Sequence, residues 1–235
     1  MPATLVGTVT DTMDDRFAAL SAEEMVRWAD EEFADGLVMS TSFGIQSAVT
    51  LHLVSQIRPN IPVVWVDTGY LPPETHQYAK TLTDRLDLNL HVARATLSPA
   101  DMEARWGRLW ESANVDDLNR YDQIRKVEPM QQALDALQAT GWISGLRADQ
   151  TEFRKRLPRV KRTGGRYRIY PILPWSNRDV YYYMQRNQLS QHPLFEQGYA
   201  TVGDAHSSRP VSSQDQDDRA TRFRGLKQEC GLHLA

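Results

Sequence analysis

Cys230 is the only cysteine of the 235-residue chain and stands near its end, in LKQECGLHLA. It has no second cysteine for an internal disulfide, and thiolate metal sites ordinarily need two or more such ligands. What remains is either an incidental cysteine or a reactive thiol, and its neighbours Lys227, Glu229 and His233 make its surroundings polar. A second group of residues suited to chemistry is STSFGIQSAV, at positions 40–49. Ser40, Thr41, Ser42 and Ser47 supply hydroxyls, and Gly44, after Phe43, allows a ligand to approach the backbone. A helix starting there would point its free N–H groups and positive dipole end at an anion. The plain alternative is a strand-to-helix turn with capping serines.

Further groups follow other apolar runs. Asp67 and Thr68, in VDTGYLPPETH, could hydrogen-bond a ribose or an adenine, or could simply make local turn bonds. Arg125 and Lys126 precede a helical pattern. SGLRADQTEFRKRLPRVKR carries Arg147, Arg154, Lys155, Arg156, Arg159, Lys161 and Arg162. Such a run is commonly a solvated face. In a chain of net charge -3, clustered after a strand, it points to a ligand bearing several phosphate-like groups.

These groups need a scaffold, and the hydrophobic periodicity supplies one. SAEEMVRWADEEFADG opens with a capping box, Ser21 with Glu24, places Met25, Trp28, Ala29 and Phe33 on one face, and ends at Gly36. LVMST and IPVVWVDTG read as buried strands, followed by the helices IQSAVTLHLVSQI and PPETHQYAKTLTDRL. LNLHVARA, GWISGLR and YRIYPIL are further strands; PADMEARWGRLWES (capped by Ser98), EPMQQALDALQA and NRDVYYYMQRNQL are further helices. Alternating strands and helices predict an α/β fold, an open parallel sheet with helices on both faces. His52, His76 and His91 read as helix or strand residues, and His206 as structural or incidental.

From about Gly203 the composition turns small and polar, in GDAHSSRPVSSQDQDDRATR. The expectation is a domain over 1–202 and a mobile C-terminal tail over 203–235, with Phe223, Leu226 and Leu232 as anchors beyond a loose connector. A thiol on such a tether can close over a site and open again. The acidic balance argues against a nucleic-acid or membrane-surface binder. No apolar run approaches the length needed to span a bilayer, and the first residues lack a signal-peptide pattern. With one cysteine, this leads to the expectation of a reducing, cytoplasmic setting.

The stretch Ser42-Phe43-Gly44-Ile45-Gln46-Ser47 lacks the Walker and GxGxxG patterns but resembles the S-x-G-x-x-S loop of the PP-loop superfamily of adenine-nucleotide enzymes (the adenine nucleotide alpha-hydrolase-like fold). Members that split ATP usually read SGGxDS; here Phe43 and Gln46 stand in place of a glycine and the acid, which removes a magnesium-ligand position. Taken together, STSFGIQSAV, VDTGYLPPET, RKVEPM, GLRADQ, HPLFEQGYATVGDAHSSR and TRFRGLKQECGLH resemble the phosphoadenylyl-sulfate (PAPS) reductase family. The resemblance runs from about residue 36 to the end.

It implies an enzyme that makes sulfite and adenosine 3′,5′-bisphosphate from PAPS, with thioredoxin or glutaredoxin as reductant, in a homodimer. Related adenylyl-sulfate reductases hold a four-iron cluster on cysteines that this chain lacks: RYDQIRKV has none, and Asp204 and Ser207 fall where a C-x-x-C pair would be. One cysteine cannot hold such a cluster, which needs about four thiolates. The resemblance is therefore to the cluster-free branch, with no cofactor and no metal. It implies Cys230 as nucleophile, with His233, Arg222 and Arg224 favouring its thiolate and Glu229 opposing it. The implied substrate site comprises Ser40, Ser42, Phe43, Gly44, Ser47, Asp67, Thr68, Lys126, Arg147, Arg154 and Arg222, with Lys126 and Arg147 on sulfate and phosphate oxygens. A different PP-loop enzyme using ATP and magnesium, or a nucleotide-sensing module without chemistry, are the competing readings.

Overall fold

Each strand of the central sheet sends successive side chains to opposite faces, and both faces are apolar. Leu37 and Met39 of β1 (Leu37–Thr41), and Val63 and Trp65 of β2 (Pro62–Val66), enter the larger core cluster. Their alternates Val38, Val64 and Val66 enter a second cluster on the other face. A sheet buried on both sides needs helices on both sides, as the continuous apolar runs predict. The computed structural model describes residues 16–213, 215, 221, 225–227, 229 and 231–233, the last without its side chain.

α1 (Ala22–Phe33), α2 (Ser47–Ser55) and α3 (Pro73–Leu86) cover the first face, and Val180 and Met184 of α7 (Asn177–Arg186) join them. Met130 and Leu134 of α6 (Glu128–Ala136) cover the second. α4 (Pro99–Trp106) and α5 (Val115–Asp122) frame a smaller cluster of Met102, Leu109, Trp110, Leu118 and Tyr121. The capping box of Ser21 and Glu24 is present, and Ser98 caps α4 through the Asp101 N–H at 3.1 Å. α2 begins at Ser47, not at Ile45, and no side chain caps it.

The remaining strands are β3 (Asn89–Ala93), β4 (Gly141–Ile143), β5 (Val160–Thr163) and β6 (Arg166–Ile169). The sheet order is β3-β2-β1-β4-β6-β5, parallel except for β5, which pairs antiparallel with β6 at the edge. β5 corrects the reading of RKRLPRVKR as a single basic run. Gly164 and Gly165, both at positive φ (59° and 82°), make the two-residue turn of a hairpin. Within that run Arg159 is buried. Its guanidinium donates to the carbonyls of Phe17, Leu20 and Pro171 at 2.7, 2.5 and 2.7 Å, so it ties chain segments together.

The stretch beginning at Gly203, read from sequence as loose, is packed over its first residues. Asp204 and Ser207 are buried, and His206 stacks on Trp110 at 4.4 Å. Polar composition misleads here because the polar groups find partners inside, as the next subsection describes.

His192 is buried between α3 and the 3-10 turn Pro193–Phe195. Its Nδ1 accepts the Leu194 N–H at 3.1 Å, so Nε2 carries the hydrogen and donates to Thr75 Oγ1 at 3.1 Å. Burial lowers its pKa from 6.5 to about 4, while Glu74 acts in the opposite direction. The unfolded chain therefore binds more protons between those values. The stability from the neutral ring is complete above about pH 6.5 and is lost as the pH falls toward about 4. Replacing His192 with Gln should flatten this acid limb in denaturant titrations between pH 7 and 4; an unchanged limb would show that other groups set it.

Candidate active site

In an open parallel sheet, ligands bind beyond the carboxyl ends of the strands, where neighbouring strands send their connections apart. Here that point lies between β1 and β4, and a cavity of about 260 Å³ opens there. The loop after β1 forms one wall. Phe43 adopts a left-handed conformation (φ 45°), its N–H donating to Thr41 Oγ1 at 3.1 Å. Ser47 Oγ donates to the Gly44 carbonyl at 2.8 Å. The amino end of α2, without a side-chain cap, therefore faces the cavity with Ser42, Gly44 and Ser47 around it. Ser40 also lines the cavity and accepts the Trp142 Nε1–H at 2.7 Å.

The second wall carries Lys126. Between α5 and α6 the chain makes a π turn, Gln123–Val127, where the Glu128 N–H reaches the Gln123 carbonyl five residues back. Pro129 explains the widened turn: it has no N–H to continue the normal ladder. The turn buries both Arg125 and Lys126. They then divide. Arg125 donates to the carbonyls of Leu97 (2.6 Å) and Thr68 (2.8 Å) and positions the loop after β2. In that loop Gly69 sits at φ 79°, where a Cβ would come within 2.8 Å of Pro99. Lys126 lines the cavity. Its Nζ lies 2.9 Å from Asp122 Oδ1 and 2.9 Å from Asp204 Oδ2, below the ring of Tyr121. Thr68 Oγ1 donates to Asp204, and Asp122 Oδ2 lies 2.6 Å from Nζ of Lys227. Burial first, then Asp204, raise the Tyr121 pKa far above its usual range, so its phenol stays protonated.

Arg147, after β4, closes the third side. Its guanidinium donates to Gln46 Oε1 at 2.6 Å, Asn177 Oδ1 at 2.7 Å and Asp149 Oδ2 at 3.0 Å. Gln46 Nε2 reaches the same Asn177 oxygen at 3.2 Å. The position where the loop resemblance leads one to expect an acid is thus a neutral amide held against an arginine.

Of the residues singled out from sequence, Ser40, Ser42, Gly44, Ser47, Thr68, Lys126, Arg147 and Arg154 all line this cavity. Phe43 and Asp67 are not among its lining. The Phe43 side chain is fully buried, edge-on to Trp65 at 5.2 Å, so only its backbone shapes the loop. Asp67 accepts the Gly69 N–H at 3.0 Å and Arg94 Nε at 3.0 Å, a local turn role. Arg154 borders the cavity, but its guanidinium is engaged with Glu229. Cys230, Arg222 and Arg224 lie outside the described residues; His233 closes the 3-10 turn Gly231–His233, and its side chain is not described. Sequence reasoning passed over Asp122 and the pairing role of Asp204. The signal for Asp122 is its place four residues before Lys126 on one helical face.

The C-terminal segment itself reaches the site. Leu232 lines the cavity and packs with the second core cluster, and its carbonyl accepts Arg168 Nη1 at 2.8 Å. No group of three or more metal-ligating side chains gathers among the described residues. No helix among them is long and apolar enough to cross a membrane.

The sheet order, the loop after β1 and the cavity at the strand switch define an open, mostly parallel α/β protein with a ligand cavity at the carboxyl end of its sheet. FMN adenylyltransferase from Candida glabrata shares this fold at TM-score 0.58 and 12% identity, covering 91% of this chain and 74% of that one. The family model for the phosphoadenosine phosphosulfate reductase domain matches residues 36–210. The chain is 57% identical to phosphoadenosine 5′-phosphosulfate reductase of a Synechococcus species over the full length of both, and 52% identical to that of Salmonella choleraesuis over 91% of this chain and 87% of the relative. A crystal structure of the Candida auris PAPS reductase, a phosphate complex, superposes with TM-score 0.72 at 27% identity, covering 86% of this chain and all of that one. The chain belongs to the phosphoadenosine phosphosulfate reductase family and is an oxidoreductase.

Charge burial separates two kinds of ion pair here. Asp204→Ala leaves Lys126 with one counter-charge fewer in a buried site and should cost about 3 kcal/mol. Arg94→Ala removes a pair whose arginine is 64% exposed and should cost less than about 1 kcal/mol. Urea unfolding of both variants checks the contrast; equal losses would mean the Lys126 site is wetter than its geometry indicates.

Proposed function

We propose that the protein reduces PAPS to sulfite and adenosine 3′,5′-bisphosphate in sulfate assimilation, through an S-sulfocysteine on Cys230. The observation that carries this reading is the docking of the C-terminal segment. Glu229 and Leu232, on either side of the single cysteine, bond to Arg154 and Arg168, and Leu232 borders the cavity at the strand switch. The described neighbours of the single cysteine thus support a thiol that works at this cavity.

The Cys230 thiolate attacks the sulfate sulfur of PAPS. The S–O bond to the phosphate breaks, and adenosine bisphosphate leaves with the bonding pair, giving a thiosulfonate on the enzyme. A thiolate of thioredoxin or glutaredoxin then attacks Cys230 Sγ, and sulfite departs with the S–S pair. A second thiol of that partner resolves the mixed disulfide and restores the Cys230 thiolate. The partner is oxidised by two electrons and the sulfate sulfur is reduced by two. Lys126 and Arg147 border the cavity and would offset charge growing on the leaving phosphate. One further observation supports the reading. The Gln46 amide, bonded to Arg147, does not favour a magnesium-dependent use of ATP. We include in the proposal a cytoplasmic homodimer, on the strength of the family resemblance.

Cys230→Ser should abolish sulfite release while leaving adenosine bisphosphate affinity largely intact. Mass spectrometry of the wild-type protein mixed with PAPS and no reductant should find a sulfonate-sized gain on the Cys230 peptide. Near-normal turnover by Cys230→Ser would end this mechanism.

A further inference from the structure

Arg154 reads from sequence as a substrate arginine. Its surroundings assign it a different task. It sits on the 3-10 turn Arg154–Arg156 and is only 5% exposed. Nε donates to Glu229 Oε1 at 2.8 Å and Nη2 to Glu229 Oε2 at 2.7 Å. This is the two-pronged fit of a planar guanidinium to a carboxylate, which fixes direction as well as distance. Nη1 donates to Gln150 Oε1. Thr151 completes the clasp: its hydroxyl donates to Glu229 Oε1 at 2.7 Å and accepts the Arg154 N–H at 3.2 Å. Glu229 is itself 7% exposed.

Glu229 precedes the only cysteine by one residue, and consecutive Cα atoms are about 3.8 Å apart. Two further anchors flank it: Lys227 on Asp122 and Asn119, at 2.6 and 2.8 Å, and the Leu232 carbonyl on Arg168. Of these contacts, the Glu229 clasp alone joins both oxygens of one side chain to a side chain that also borders the cavity. We infer that Arg154, with Thr151, is a positioning residue that acts through Glu229 to set the approach of Cys230 to the substrate sulfur. This rests on the function proposed above. The clasp orients the attacking segment and is not a ligand for the nucleotide phosphates. It also sets the Arg154 charge directly against Glu229, the acid that otherwise opposes the neighbouring thiolate.

The test separates attack from binding. With saturating PAPS and no reductant, rapid quench and mass spectrometry follow sulfonation of Cys230, while calorimetry reads adenosine bisphosphate affinity. Arg154→Ala and Glu229→Ala should each slow sulfonation on the order of a hundredfold, the scale set by a displacement of about 1 Å. Bisphosphate affinity should change by less than about threefold, since binding of the nucleotide is not the step lost. The double alanine variant should be no slower than the slower single one, because the two side chains act as a unit. Glu229→Gln keeps an acceptor for Thr151 and Arg154 Nε and should recover part of the rate. Should an alanine variant fail to fold, Arg154→Met with Glu229→Met replaces the pair by apolar groups of similar size and should show the same slow sulfonation in a folded protein.

The inference is overturned if Glu229→Ala or the Met pair sulfonates at the wild-type rate. It is equally overturned if Arg154→Ala weakens bisphosphate binding by tenfold or more while Glu229→Ala does not, since Arg154 would then be a phosphate ligand. Absence of sulfonation in the wild-type protein would instead remove the function on which the inference stands, and that result needs no variant.

Discussion

A carboxylate taken out of water must be given positive charge and donors at once, and Asp122 meets this demand from two directions. One oxygen takes Lys126, on the wall of the cavity; the other takes Lys227, on the C-terminal segment. Either lysine alone would leave half of a buried anion short of partners, at a cost of several kcal/mol. So the floor of the site and the segment that carries the cysteine are tied to the same atom group. Asp204 makes the arrangement neutral, two carboxylates against two ammonium groups, and Thr68 fixes Asp204 in turn. Much else in the structure follows from this cluster. The π turn turns Lys126 inward, and the stretch around His206 folds in with Asp204, whose carboxylate meets Lys126 and Thr68 there.

The same bookkeeping of charge explains how three cations can border one small cavity without driving the protein apart. Each has an acid assigned to it: Asp122 and Asp204 for Lys126, Asp149 for Arg147, Glu229 for Arg154. A multiply charged nucleotide entering the cavity would meet cations already oriented by these acids, and orientation fixed in advance is what stabilises charge developing in a reaction. The net charge of the chain, -3, hides this local order.

How much of this could be read from sequence depends on the range of the interactions. The strands and helices were legible because each writes its own period: LVMST and IPVVWV are continuous apolar runs, and SAEEMVRW carries its cap and face within one segment. The loop after β1 was legible because its chemistry is local to six residues. β5 was not, because Lys161 and Arg162 break the apolar pattern of this edge strand and conceal a hairpin that only Gly164–Gly165 marks. The roles of Arg125, Arg154 and Arg159 were not legible either. All three stand in basic stretches, yet one binds loop carbonyls, one binds Glu229 and one binds the chain near Phe17. Charge identifies such side chains as in need of partners; only the tertiary structure says which partner is in reach.

The polar character of the tail contacts bears on how the proposed chemistry could proceed. In that chemistry one sulfur meets two partners in turn, first a nucleotide and then a protein thiol. A segment docked by a large apolar face would hold well but release slowly, since each buried leucine adds about 2 kcal/mol. Here Leu226 is exposed and Leu232 only partly buried, and the defined contacts are Lys227 to Asp122, Glu229 to Arg154 and a carbonyl to Arg168. Buried ion pairs are demanding in geometry yet contribute little net stability, because desolvation offsets most of their attraction. They can therefore define where the segment sits without holding it there strongly, which is the combination that a shuttling nucleophile requires.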